Sequence, residues 1–222
     1  MMPVMDGYEL VRRLRESDNH IPVMMITAKD AFDDMRRGFI SGTDDYMIKP
    51  VTVNGKTYRF LNGIGYGIDG YCCEVGDKLR ETTEGNINYT AIAIKGLLFH
   101  YKPTDATVTV DGVKHKFKRV WLAPTMNGKF YGGGMMPTPN QDRTGGKLSV
   151  MVYHNLGKLK ALMVFPSIFK GEHVKQKNIA ILEGREITVE FDRPTPLQID
   201  GETILGISSY KTKAHYHDMV NA

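Results

Sequence analysis

Asp200, Gly201 and Glu202 place two carboxylates on either side of a glycine near the end of a 222-residue chain. A carboxylate held within hydrogen-bond reach of a hydroxyl can take its proton. Gly201 permits a tight turn, so the two side chains can point in different directions. Asp-Gly is equally a common β-turn pair on solvated edges, and the tripeptide alone does not choose between a turn and a base. A second pattern, Gly65-Tyr66-Gly67-Ile68-Asp69-Gly70, matches the G-x-G-x-x-G of dinucleotide-binding loops and follows an expected strand. The next residues, YCCEVGDKLRE, do not read as the amphipathic helix whose N-terminus would hold a pyrophosphate, so the expectation is a tight inter-strand turn. His215 and His217 lie at strand spacing in HYHD, two metal-type ligands without a third.

The elements that must position these residues change grammar once. Over 1–51, helix and strand alternate. Asp6 and Glu9 mark a helix start, after which Leu10, Val11 and Leu14 share a face. IPVMMITA (21–28) is an apolar run of the kind covered on both sides in a parallel sheet. DAFDDMRRGFISG (30–42) has helical spacing, and DDYMIKP (44–50) reads as a short strand closed by proline. From about residue 53 the period becomes two. Strands are expected in 57–64, 106–123, 147–154, 178–182, 186–191 and 204–211, with a hairpin turn at Asp111-Gly112. Two helices are expected, INYTAIAIKGLLFHY (87–101) and KLKALMVFPSIFKGEHV (158–174), the second ending or kinking at Pro166. The fold class is therefore α+β: a partial α/β segment over 1–52, then a mainly antiparallel, β-sandwich-like domain with two helices over 53–222.

The first segment resembles a response-regulator receiver domain, a flavodoxin-like fold. MMPVMDG is similar to the loop after the phosphoacceptor strand, Thr27-Ala28 to the switch position, and Lys49-Pro50 to the closing Lys-Pro pair. The resemblance implies a phosphoacceptor aspartate before Met-Met-Pro and an acidic pair for Mg²⁺. Neither is among these residues, so Thr27 and Lys49 are expected to be vestigial.

The second segment resembles, over about 55–213, the C-terminal domain of bacterial diacylglycerol kinase-like lipid kinases. The features carrying this are RFLNGIGYGIDG (59–70), LLFHYKP (97–103), VTVDG (108–112), Asn127 with Gly132-Gly133-Gly134 and MMPTP, FKGEHV (169–174) and LQIDGE (197–202), in that order. It implies transfer of the γ-phosphoryl group of ATP to a lipid hydroxyl, where positioning and electrostatics dominate. It also implies Glu202 as the proton acceptor, Asp200 as organiser of the turn, and Asn127 with Gly132, Gly133 and Gly134 on the substrate and phosphate side. ATP and Mg²⁺ are the implied cofactors. Gly145 stands where the family's metal aspartate would be, leaving Asp142 as the substitute. The Gly-Gly-Asp-Gly-Thr loop that holds ATP does not occur in these 222 residues, nor does GxxxxGK[ST]. A nucleotide-binding domain acting in trans is the implied partner.

Composition is that of an ordinary soluble chain, 41% hydrophobic and 24% charged. The formal charge of +4 lacks the concentrated basic stripe of a nucleic-acid binder. No apolar run reaches the ~18 residues of a membrane span. The two cysteines, Cys72 and Cys73, are adjacent and unsuited to an ordinary disulfide, which favours a reducing, cytoplasmic setting. Lys158, Lys160, Lys170, Lys175 and Lys177 surround the second helix, either a solvated face or one attracted to an anionic bilayer.

Overall fold

The computed structural model describes residues 5–21, 23–25, 37–38, 40–43, 45–46, 49–82, 87–143 and 145–214. It divides into two compact units, Met1–Ile48 and Lys49–Ala222.

In the first unit, helix α1 (Gly7–Glu16) starts at Asp6, whose Oδ1 accepts from the Glu9 amide at 2.8 Å. Its buried face is Tyr8 and Val11, packed with Met25. Leu10, expected on that face, is instead 42% exposed. The strands β1 (Met24–Met25) and β2 (Asp45–Tyr46) pair in parallel. Thr27 and most of the helix expected over 30–42 lie outside the described residues.

The second unit is one forked antiparallel sheet. Its strands are β3 (Lys49–Val53), β4 (Lys56–Phe60), β5 (Gly63–Tyr66), β6 (Thr104–Val110), β7 (Val113–Val120), β8 (Thr125–Met126), β9 (Leu148–Tyr153), β10 (Ile179–Gly184), β11 (Glu186–Ile199) and β12 (Glu202–Lys213). The order is β10-β9-β8-β5-β11-β12-β3-β4, with β6 and β7 branching from β11. The fork exists because β11 is long enough to serve two neighbours. Residues 187–191 pair with β6, and residues 197–199 pair with β5. Between them, register shifts against β12 coincide with Pro194 and Pro196, whose missing amides interrupt the ladder.

Three hairpins share one turn chemistry. Asn54-Gly55 (φ 48° and 75°), Asp111-Gly112 (47° and 84°) and Asp200-Gly201 (47° and 100°) each put two successive residues at positive φ. That geometry matches the twist of the flanking strands and favours Asn or Asp before Gly. Asp111 also binds the neighbouring strand, its Oδ1 accepting from the Arg185 and Glu186 amides at 2.9 and 2.8 Å. Asp111→Ala is expected to cost about 2 kcal/mol, and Asp111→Asn less, because Asn keeps both an acceptor and tolerance of positive φ. Urea denaturation of the two variants checks the ranking.

Lys49 and Pro50, similar to the closing pair of a receiver, also begin β3, which pairs with β4 and β12. The physical reason is alternation: Val51 and Val53 point into the core at 0% and 2% exposure, and Asn54-Gly55 turns the chain straight into β4. The expected strand over 57–64 is two strands, β4 and β5, broken at Leu61-Asn62.

One face of the sheet packs around Ile64, Tyr66, Val108, Val150, Val189, Phe191 and Tyr210, with Tyr66 stacked on Phe191 at 4.2 Å between ring centroids. The other face carries helices. Helix α3 (Tyr89–Lys95) runs into a π-helical turn at Gly96–His100, and α4 (Lys158–Val164) ends before a 3₁₀ segment containing Pro166. These two were expected. A third, α2 (Ile68–Thr82), was not. Trp121 is fully buried, its indole N–H donating to the Leu156 carbonyl at 3.0 Å. Among the described residues, no helix is long and apolar enough to cross a membrane.

Candidate functional site

Helix α2 overturns the reading of the G-x-G-x-x-G stretch as a turn without a helix. Its apolar positions Ile68, Cys72, Val75 and Leu79 do follow helical spacing, but Gly70 and Gly76 dilute the pattern. Those glycines are points of close approach. A Cβ at Gly70 would stand 1.9 Å from the Pro196 carbonyl oxygen, and one at Gly76 would stand 2.6 Å from the Tyr89 ring. At Gly65 it would meet Asp69 Oδ2 at 1.6 Å, and at Gly67 the Trp121 carbonyl oxygen at 2.6 Å. The space a pyrophosphate would need in a dinucleotide loop is filled by the protein's own atoms, so the glycines here serve packing.

What the packing positions is a cavity of about 1010 Å³ beneath α2, α3 and the 131–135 turn. Its polar lining is connected by hydrogen bonds. Gln198 Nε2 donates to Asp69 Oδ2 at 2.9 Å, and Gln198 Oε1 accepts from the Gly201 amide at 2.7 Å. The next residue back, Asp200, accepts from the amides of Leu61 at 2.5 Å, Asn62 at 3.1 Å and Gly63 at 2.8 Å. Asp200 thus fixes the break between β4 and β5 as well as the β11–β12 turn. Ile68, Ala93, Leu122, Met135, Phe165 and Phe169 supply the apolar wall.

Electrostatics single out Asp69. Desolvation pushes its carboxyl up to about 6, against the opposing hydrogen bond from Gln198. The cysteine thiols beside it are also pushed up, by burial first and by the Asp69 charge second, so neither is a nucleophile at neutral pH. Sequence reasoning passed over Asp69. The available signal was an aspartate set among three glycines at a strand-to-helix junction, but it was weighed only as part of a nucleotide fingerprint.

The structure brings some expected site residues together and separates others. Asp200, Gly132 and Gly133 line the cavity. Gly134 completes the same positive-φ turn. Asn127 is fully buried behind the 61–63 break, its Nδ2 donating to the Leu61 carbonyl at 2.9 Å, and its Oδ1 lacks a partner. Glu202 is exposed and lines a second hollow of about 630 Å³ with Tyr58, Arg59 and Leu205; Asp200 lines both hollows. Asp142 is exposed in a loop, its carbonyl accepting from Gln141 Nε2 at 3.1 Å and from the Gly145 amide at 3.3 Å. Among the described residues no three His, Cys, Asp or Glu side chains converge, so Asp142 has no second carboxylate grouped with it there. His215 and His217 lie outside the described residues, and Lys49 is a strand residue of the sheet.

A forked antiparallel sheet with helices over one face and a cavity under the first of them defines a β-sandwich-like α+β domain. Residues 62–211 match the model of the YegS C-terminal NAD kinase beta sandwich-like domain, and the chain belongs to that family. Residues 1–55 match the response regulator receiver domain. Over 59 residues the chain is 52% identical to the heme response regulator HssR of Staphylococcus epidermidis and 51% identical to that of Staphylococcus aureus, covering 27% of this chain and 26% of either relative. It therefore spans about a quarter of the length of the curated relatives it matches. Two solved structures of Bacillus anthracis str. Sterne proteins, assigned by name to the diacylglycerol kinases, are similar in fold. One has a TM-score of 0.54 at 15% identity, covering 94% of this chain and 70% of the other. The second has a TM-score of 0.50 at 18% identity, covering 81% and 57%.

Proposed function

We propose that the unit beginning at β3 is the lipid side of a diacylglycerol kinase-like enzyme, which transfers a phosphoryl group from ATP to a lipid hydroxyl. The observation that carries this is the divided lining of the 1010 Å³ cavity. An apolar wall suits acyl chain, and the chain of polar groups Asp69–Gln198–Gly201 beside Asp200 suits a hydroxylated head. Glu202, in the adjoining hollow across the Asp200-Gly201 turn, is the proposed proton acceptor for a hydroxyl presented at the Asp200 edge that the two hollows share, and Asp200 holds the turn and the 61–63 break in register. ATP is brought by a nucleotide domain outside these residues, since neither Gly-Gly-Asp-Gly-Thr nor a P-loop occurs among them. Such an enzyme works peripherally at a membrane from the cytoplasmic side.

Two measurements test the reading. Calorimetric titration with a short-chain diacylglycerol is expected to show binding that weakens when Ala93 is enlarged to Phe in the cavity wall; no binding by the unaltered chain would sink the proposal. With a nucleotide domain supplied in trans, Glu202→Gln is expected to lower kcat by about 10² to 10⁴-fold with little change in KM for lipid. An undiminished rate would remove Glu202 from its role.

A second reading is favoured by one observation: the 52% identity to HssR is confined to 59 residues, and the receiver match stops at 55, before the sandwich match begins at 62. On this reading the chain joins two unrelated coding fragments. Single-molecule sequencing of source DNA across codons 40 to 65 decides it, because a continuous junction excludes an assembly splice.

A further inference from the structure

Two stretches that lie against one another carry lysine without acid. Residues 87–104 and 155–171 contain Lys95, Lys102, Lys158, Lys160 and Lys170 and not one Asp or Glu, in a chain that has 25 acids and 29 Lys and Arg in all. The first stretch forms α3 and the π-helical turn, the second α4 and its 3₁₀ extension. Lys158 Nζ donates to the Leu98 carbonyl at 2.8 Å and ties the two together.

The same elements hold apolar side chains out of the core. Phe99 in the π-helical turn is 72% exposed, and Leu159 and Met163, one turn apart on α4, are 72% and 73% exposed. Such a cluster inside a cationic rim marks an interaction surface rather than the scatter of single apolar residues that any protein shows. The surface also continues into the cavity. Phe169, 39% exposed at the end of the 3₁₀ segment, packs edge-on to Phe165 at 6.1 Å, and both line the cavity wall.

We propose that the face formed by Phe99, Leu159 and Met163, rimmed by Lys95, Lys160 and Lys170, docks on the interfacial layer of an anionic bilayer, with the cavity opening toward the lipid. A rim whose charged side chains within these two stretches are all lysine, with Glu172 exposed beyond its edge, complements anionic headgroups; three protruding apolar side chains reach below them, and continuity with the cavity gives a lipid a path that avoids water. A protein partner of ordinary surface would place acids against this rim but gives no account of that continuity. The inference rests on the lipid reading of the cavity for its orientation, not for the docking itself.

The test is vesicle co-sedimentation of the full chain. The expected result is binding to mixed phosphatidylglycerol–phosphatidylcholine vesicles, weakened by salt and absent with phosphatidylcholine alone. The variant Phe99→Ser, Leu159→Ser, Met163→Ser is expected to bind about a hundredfold more weakly, with unchanged circular dichroism because all three side chains are outside the core. Lys160→Glu with Lys170→Glu is expected to remove the anionic preference. Failure of the unaltered chain to bind, or undiminished binding by the triple-serine variant, would overturn the proposal. So would sedimentation velocity showing a dimer that the triple-serine variant alone abolishes, which would assign the face to a second copy of the chain. Short-chain diacylglycerol binding in solution depends on the cavity alone, so its success or failure is read separately from vesicle docking.

Discussion

Gly70→Ala is expected to destabilise the Lys49–Ala222 unit by about 3 kcal/mol or more, a large share of the total for a domain of this size. The sign is informative. Within an α-helix, exchanging Gly for Ala ordinarily stabilises by roughly 1 kcal/mol, through backbone entropy in the unfolded chain. Here the added methyl would stand 1.9 Å from the Pro196 oxygen, 2.4 Å from its carbonyl carbon and 2.9 Å from the Leu197 nitrogen. All three are backbone atoms of β11, which is paired on both sides and cannot retreat. The helix has to lift instead, and lifting it separates Asp69 from Gln198 and opens the cavity. Gly157→Ala is the control, since a Cβ there meets nothing within 4 Å and its φ is −76°. Equal urea midpoints for the Gly70 and Gly157 variants would show that α2 does not rest on β11 as described.

Asp69→Asn is expected to act in the opposite direction. The folded chain holds the Asp69 proton up to about pH 6, whereas an unfolded aspartate releases it near 3.8. Burial therefore raises the folded-state value, and the unfolded state binds fewer protons between the two. Stability carried by this group falls as pH rises from about 4 to 6, reaching a penalty of roughly 3 kcal/mol above that window. An asparagine at this position would keep an acceptor for Gln198 and remove the charge. The variant should match the unaltered chain at pH 4, exceed it by about 2–3 kcal/mol at pH 7, and lose the slope between. Thermal denaturation at a series of pH values measures this. Parallel curves for the two proteins would mean that Asp69 is solvated. A carboxyl that titrates near 6 at the polar end of a cavity can also switch between donating to and accepting from a ligand hydroxyl. Stabilisation by Asp69→Asn accompanied by weaker diacylglycerol binding would be the expected trade.

Much of the fold was legible because it depends on local rules. The period-two runs became strands, Asp111-Gly112 became a hairpin turn, and Pro166 marked the end of α4. Asn54-Gly55 was just as plain a hairpin signal. The structure uses it to turn β3 into β4, a pairing that the receiver-like Lys49-Pro50 just before it does not suggest. Helix α2 was missed. Its glycines lower helix propensity, and only the presence of β11 and Tyr89 against them makes small residues the better choice.

The candidate site follows the same division. Asp200 and Glu202 stand out in the sequence because a turn pair flanked by carboxylates is a local feature. That Asp200 reaches back 137 to 139 residues to bind Leu61, Asn62 and Gly63 is not local, nor is the burial that raises Asp69. By itself, then, the amino-acid sequence determined the two-part organisation, the strand-rich second half and the turn that carries Asp200 and Glu202, all set by neighbours along the chain. Only the tertiary structure decided that Asp69 is desolvated, that Glu202 faces a different hollow from the main cavity, and that the G-x-G-x-x-G glycines are for packing. Those properties arise from β11 and α2 meeting across more than a hundred residues of sequence, and no periodicity encodes that distance.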